Sequence, residues 1–435
     1  MKPEIVNSRS PRPVGRSRPA GFVAWAVVAS AAMLAVATPV HAAGVAVAGQ
    51  SSGIRGGSTW FAGGQPDAAY RLLGLLASSD IDGVSARQFN LRGLQRAVRS
   101  APGSPATDRM LSDALVRYAT AVRAVPASNE WTIVDQEVVR APVNVSALMR
   151  EAAAAGTLST FVETMPWMHE TYAGLRRELL IAEQRRDRVA SAKLRLNLNR
   201  ARLLPGTGPE RYVMVNAAAQ RLYMYENGKV VDWMRVVIGK PAQPTPMMAA
   251  LIRYTAVNPY WNLPSDLVAE RIAPNVVKLG LPYLREKGYV VLSDWSESPK
   301  RIDPSTIDWK AVVAGRTEIR LRQNPGPANA MGRMKFMFPN KAGVYLHDTP
   351  NKELLDEPAR MLSAGCVRLD DAPRLARWLY GRPLVVTKGM KPEQHVDLER
   401  PVPVYLAYLT AVSSGNQAVY YDDVYGRDRA KLASR

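Results

Sequence analysis

The sequence predicts an α+β protein in which a mainly helical region precedes a strand-rich domain. Three observations carry that reading. Between residues 65 and 200 apolar side chains recur at three- and four-residue spacing, the pattern of a helix with one buried stripe. After "LLPGTGPERY" the pattern changes to apolar/polar alternation on both sides of Asn227-Gly228, the strongest short hairpin signal. The alternation breaks between about 265 and 315 and then returns, which marks an insertion in a sheet domain.

The first 42 residues belong to neither domain. "MKPEIVNSRSPRPVGRSRP" is basic, "GFVAWAVVASAAMLAVATPV" is almost wholly apolar, and the run ends in the small residues of "VHAAG". That is the pattern of an export signal cut near Ala42 or Ala43, with a retained membrane anchor as the alternative. Residues 43–64 are rich in Gly, Ser and Ala and read as a mobile linker. The chain carries a formal charge of +19, and removal of residues 1–42 takes away five cations and one anion. The remainder is still strongly basic and suits an acidic wall polymer, anionic lipid or another polyanion. Zinc-finger spacing, phosphate loops and aromatic-interleaved basic repeats are all missing, which argues against nucleic acid.

In the helical region (65–200), Leu72, Leu75 and Leu76 open a short helix, and "DIDGVSARQFNLRGLQRAV" reads as a turn and a second one. "TDRMLSDALVRYATAVR" places Leu111, Leu115, Tyr118 and Val122 on one face, with Thr107 and Asp108 suited to cap its start. A third helical stretch runs from about Ser146 to Leu196, with Tyr172, Leu175 and Leu179 together. In the strand-rich domain (205–390), a Pro-rich loop "GKPAQPTPMM" leads to a strand in "ALIRYTAVNPYWNLP". "SDLVAERIAPNVVKLG" is a helix inside the insertion, which also carries Trp295 and Trp309. The sheet resumes at "TEIRLRQ", and "KFMFPNKAGVYLHDT" delivers His347 at a strand end. "APRLARWLYG" is a helix, "RPLVVTK" a strand, and 391–435 a C-terminal extension with the apolar segment "PVPVYLAYLTA".

The chain has one cysteine, Cys366, so no intramolecular disulfide exists. A nucleophilic thiol needs a base or cation, an approach for a carbonyl, and donors for an oxyanion. Ala364 and Gly365 are small enough for close approach, main-chain N–H groups lie here, and Arg368 adds a permanent cation. The base comes from His169, His347 or His395, and only His347 follows a strand that can hold it in register. Tyr345 lies two residues before it, hence on the same face. Beyond the expected signal, three scattered histidines and one cysteine make no metal-ligand set.

"YLHDTP" followed by "LSAGCVRLDD" resembles the L,D-transpeptidase signature, a strand-end histidine followed by a Ser/Thr-His-Gly-Cys-apolar-Arg/Asn block. "GKPAQPTP", "NPYWNLP" and "PVPVYLAYLTA" extend the resemblance, in order, toward the larger periplasmic branch with its helical scaffold domain. The resemblance implies Cys366 as nucleophile, His347 as base, and Ser363, Gly365 and Arg368 as the surrounding substrate-binding or oxyanion groups, to which strand alternation adds Tyr345. It also implies a periplasmic enzyme with peptidoglycan stem peptides as substrate, other wall-synthesis proteins as partners, and no cofactor. The motif histidine before the glycine is Ala364 here, so His347 alone is left to activate the thiol.

The expected reaction is attack of Cys366 on a stem tetrapeptide, loss of D-Ala, and transfer to a diaminopimelate amine to give a 3-3 cross-link. The inserted segment, about 265–315, is the expected lid that excludes water, with Trp295 and Trp309 as walls. The same acyl-enzyme resolved by water, a lipoprotein lysine or a D-amino acid is the close alternative. A wall-binding scaffold protein without catalysis is the distant one.

Overall fold

The computed structural model describes residues 60–61, 67–124, 130–139, 143–154, 157–206, 209–387, 389–415 and 417–433. The expected export signal, residues 1–42, lies outside the described residues, as does most of the expected linker. Two linker residues are described and are not loose: Trp60 and Phe61 are buried in the helical core, and Trp60 Nε1–H donates to Ser112 Oγ at 2.9 Å. The Gly/Ser composition around them masks two large apolar anchors.

Helices α1 (Asp67–Ala77), α2 (Leu91–Ser100), α3 (Pro105–Arg123), α4 (Val145–Ala154), α5 (Leu158–Thr164), α6 (Glu170–Gln184) and α7 (Arg188–Ala201) form the first region. They share a core that includes Leu72, Leu76, Leu111, Leu115, Tyr172, Leu175 and Leu179. Burying each leucine contributes about 1.5–3 kcal/mol, and this stripe is what the sequence spacing encodes. The start of α3 differs from expectation. Ser104, not Thr107 or Asp108, is the cap: its Oγ accepts the Thr107 N–H at 3.2 Å, with Pro105 opening the first turn.

A short strand β1 (Thr132–Ile133) precedes the main run β2 (Arg211–Asn216), β3 (Arg221–Glu226), β4 (Lys229–Gly239) and β5 (Met248–Val257). The inserted element then contains β6 (Trp261–Leu263), α8 (Ser265–Leu267), a π-helical turn (Val268–Ile272), α9 (Ala273–Leu279) and α10 (Pro282–Glu286). It continues through β7 (Tyr289–Leu292), β8 (Arg301–Ile302), α11 (Trp309–Val313) and β9 (Arg320–Gln323). Strands β6, β9, β7 and β8 make a separate four-stranded sheet with its own apolar core. "TEIRLRQ" therefore does not resume the main sheet; β9 pairs with β6 and β7. Alternation predicts a strand but not its neighbour.

The main sheet resumes with β10 (Met334–Met337), β11 (Leu346–His347), β12 (Met361–Ser363) and β13 (Val367–Leu369), followed by α12 (Ala372–Tyr380) and β14 (Gln394–Ala407). The described residues of "RPLVVTK", 382–387, do not form a strand. Leu384 and Val386 pack on the core, but Pro383 lacks a backbone donor and the segment joins no ladder. Strand β14 corrects the reading of 391–435 as an extension: it pairs parallel to β2 and antiparallel to β5. That double pairing closes β5, β10, β11, β13, β4, β3, β2 and β14 into a ring. Beyond it, the hairpin β15 (Ala411–Ser414) and β16 (Gln417–Tyr420) packs on α6, and α13 (Arg427–Ala433) packs on α7. Among the described residues no helix is long and apolar enough to cross a membrane.

Candidate active site

Strands β11 and β13 run parallel, Leu346 opposite Val367 and His347 opposite Arg368. The Val367 N–H donates to the Tyr345 carbonyl at 3.2 Å and carries the same register one residue back. Side chains alternate along both strands, so Leu346 and Val367 enter the core. Tyr345, His347, Cys366 and Arg368 are left on the other face as a two-by-two square, and all four line one cavity of about 480 Å³.

The turn that carries Cys366 is held from several directions. Ser363 Oγ–H donates to the Cys366 carbonyl at 2.6 Å, and the same oxygen accepts the Gly365 N–H at 3.1 Å. Thr245, from the Pro-rich loop, donates its hydroxyl to the Gly365 carbonyl at 2.8 Å and accepts the Gly239 N–H at 3.0 Å. Gly365 has φ 110°, a conformation that favours glycine, and a Cβ on Gly239 would lie 3.0 Å from Gly365 Cα and 2.2 Å from the Gln243 carbonyl. Ser363 and Gly365 therefore shape the turn, with their polar groups already committed to it. The Gly365 N–H is not turned toward an oxyanion.

His347 is buried at the end of β11, with Nδ1 at 2.5 Å from the Asp348 carbonyl. A carbonyl only accepts, so Nδ1 carries the hydrogen and Nε2 keeps its lone pair. Burial is the main cause that lowers His347 to about 3, followed by the positive charge of Arg368, with Lys335 and Lys352 adding to it. Burial also pushes the Cys366 thiol up, against hydrogen bonds from Tyr345 and the nearby cations Arg368 and Lys335, which pull it down. At neutral pH the cavity thus holds a thiol and a neutral imidazole.

Residues 210–404 match the family model described as the L,D-transpeptidase catalytic domain (YkuD), and residues 56–179 match the model described as the Scaffold domain. Over residues 210–404 the chain is similar to the L,D-transpeptidase catalytic domain. A curated relative from Haemophilus influenzae assigned to the L,D-transpeptidases is 32% identical over 244 residues, 54% of this chain and 48% of that protein. The chain thus spans about half the length of the curated relative it matches. Among solved structures, an L,D-transpeptidase from Mycobacterium smegmatis is 18% identical across 46% of this chain and 59% of that one, with a TM-score of 0.23. The catalytic domain of the E. faecium L,D-transpeptidase is 16% identical across 46% and 99%, with a TM-score of 0.18.

Within the matched region the expected walls of the cavity are replaced by others. Trp309 is buried inside the inserted element's own core and donates Nε1–H to the Pro304 carbonyl at 2.9 Å, while Trp295 is exposed, and neither lines the cavity. Trp261, Leu267 and Arg271 supply that side instead. Helical and strand positions in the insertion look alike in sequence, and only the fold turns this edge toward Cys366. His169 caps α6 and accepts the Thr171 N–H, and His395 lies half-exposed on β14 against Tyr254, so neither enters the cavity.

Lys335 was not singled out by sequence. It sits opposite His347 on β10, donates to the Tyr260 carbonyl at 3.1 Å and to Glu393 at 2.8 Å, and stands 5.9 Å from the Tyr345 ring. Arg368 is paired with neither Asp370 nor Asp371. Asp370 holds Arg235 and Asp371 caps α12. Among the described residues no group of three His, Cys, Asp or Glu side chains is placed to hold a metal.

Proposed function

We propose that the protein is a cysteine-dependent peptidoglycan L,D-transpeptidase, working outside the cytoplasm, that cuts a stem tetrapeptide before its terminal D-Ala and forms 3-3 cross-links. The observation that carries this reading is the shared face of β11 and β13, which sets Cys366 and an imidazole with a fixed free Nε2 in one cavity.

Because the resting pair is neutral, proton transfer accompanies attack. As the Cys366 Sγ–carbon bond forms, the thiol proton passes to His347 Nε2 and the carbonyl becomes an oxyanion. The Cys366 N–H, next to the attacking sulfur, is the main-chain donor best placed for that oxyanion. Collapse breaks the carbon–nitrogen bond, and the imidazolium returns its proton to the departing D-Ala amine. An acceptor amine, from a diaminopimelate side chain, then attacks the thioester. His347 takes the amine proton, the thiolate leaves, and the proton restores the thiol.

The test is intact mass of the wild type and Cys366→Ala after incubation with disaccharide-tetrapeptide, together with product analysis. An adduct on the wild type alone, D-Ala release and a 3-3 dimer are expected. Tripeptide without dimer would make the protein a carboxypeptidase, and the absence of both adduct and product would remove the catalytic reading.

A further inference from the structure

The cavity holds charges that the reaction scheme leaves without a task. Arg271 and Arg368 both line it, and Arg271 lies close enough to weaken the hold of Arg368 on its proton, after burial. Like charges in one pocket are unfavourable unless something neutralises them. The nearby carboxylates face elsewhere. Glu270 Oε1 accepts from Lys240 Nζ at 2.6 Å and stands 3.9 Å from Arg271 Nε, beyond hydrogen-bond reach. Asp370 holds Arg235, Asp371 caps α12 beside Arg374, and Asp348 holds Lys352. Asp266, the one carboxylate in the lining, is exposed and forms no ion pair among the described residues. Arg368 Nε is buried without a partner among the described residues.

Arg271 also comes from an independent part of the chain. It lies on the π-helical turn of the inserted element, a widened turn that changes the direction of side chains around it. The Lys240–Glu270 ion pair ties that turn to the segment after β4, where the Lys240 N–H donates to the Ser363 carbonyl at 2.9 Å. The inserted element thus reaches the edge of the Cys366 turn and brings a second guanidinium with it.

We propose that Arg271 and Arg368 form a carboxylate site that reads the free terminal carboxylate of the donor stem peptide, so that the inserted element selects the donor. This rests on the acyl-transfer reading above. A carboxylate presents two oxygens that two guanidinium forks can share. The terminal carboxylate of the leaving D-amino acid is three bonds from the carbonyl carbon that the sulfur attacks. One further residue on the stem would put an amide there and carry the carboxylate about 3.5 Å onward. A bound carboxylate also offsets the Arg368 charge that, after burial, does most to keep a proton off His347.

The experiment has a binding arm and a turnover arm. Calorimetry on Cys366→Ala, which keeps the cavity and removes the chemistry, compares disaccharide-tetrapeptide with the same muropeptide amidated at its C-terminus. The acid is expected to bind at least about tenfold tighter, with the preference lost in Arg271→Gln and partly kept in Arg271→Lys. With Cys366 present, Arg271→Gln is expected to lower kcat/KM for release of the terminal residue by about 10–100-fold on the acid and hardly at all on the amide. Equal binding of acid and amide, or equal losses on both donors, overturns the carboxylate site even if the enzyme turns over. Acid-selective binding without release from either donor overturns the acyl-transfer reading and leaves the carboxylate site standing.

Discussion

Two polar clusters in this molecule are built from similar parts and end in opposite states. In the helical region the buried Asp82 accepts from Tyr118 at 2.9 Å, Tyr172 at 3.1 Å and Arg176 Nε at 2.9 Å, while Arg176 also donates to the Leu75 and Ser78 carbonyls. Every charge there has its counter-charge, and burial and Asp82 together hold both tyrosines far above their ordinary values. In the cavity that holds the thiol, Arg271 and Arg368 stand together with a histidine, and burial, with Arg368, Lys335 and Lys352, keeps that histidine neutral. A closed cluster fixes a fold. An open one is held in readiness for something that is not part of the chain.

The largest effect that separates the two clusters is on the reaction. Cys366→Ala is expected to abolish acyl-enzyme formation, more than about 1,000-fold in kcat, while the thermal midpoint moves little; mass spectrometry and a melting curve check both halves. In the helical region the effects invert. Asp82→Ala leaves Arg176 buried and unpaired and should cost about 3–5 kcal/mol in denaturant unfolding, with turnover per folded molecule unchanged.

A third prediction concerns pH. His347 binds its proton less readily when folded, at about 3, than when unfolded, near 6.5, so the unfolded chain gains protons first as pH falls. Its contribution is therefore full above pH ~6.5 and is lost toward pH ~3, on the order of 5 kcal/mol. His347→Gln should flatten that part of the stability curve, and an equally steep fall in the variant would sink the assignment. Ser363→Ala should cost about 1 kcal/mol and slow acylation through a looser turn. The smallest effect is reserved for Trp295→Ala, expected to change kcat/KM by less than about twofold, because the side chain stands away from the cavity.

What could be read from the sequence follows the range of the interactions. Tyr345 and His347 were accessible as alternate residues of one strand, and Cys366 and Arg368 as members of a local motif, but the square they form depends on the pairing of β11 with β13. The helical stripe was accessible for the same reason, as a local period. Arg271, Lys335 and the Asp348 carbonyl were not, because nothing in "VAERIAP" or "MKFMF" says which neighbour the fold will supply. Trp295 and Trp309 drew attention as large aromatics in an insertion, whereas the smaller-signal residue Arg271 is the one turned toward the thiol. The pairing of β9 and the entry of β14 into the ring likewise depend on partners in other parts of the chain.

Closure by β14 also sets an order in time. As the chain emerges from synthesis, β2 and β5 are made long before the strand that joins them, and Cys366 and His347 appear while the ring is still open. Until Gln394–Ala407 arrives, both neighbours present unpaired edges that invite contact with other chains. Glu393, which anchors Lys335 beside the thiol, arrives with that same strand. The surroundings of Cys366 are therefore completed late, and shortening the chain ahead of residue 393 would leave an assembled motif on an unfinished ring.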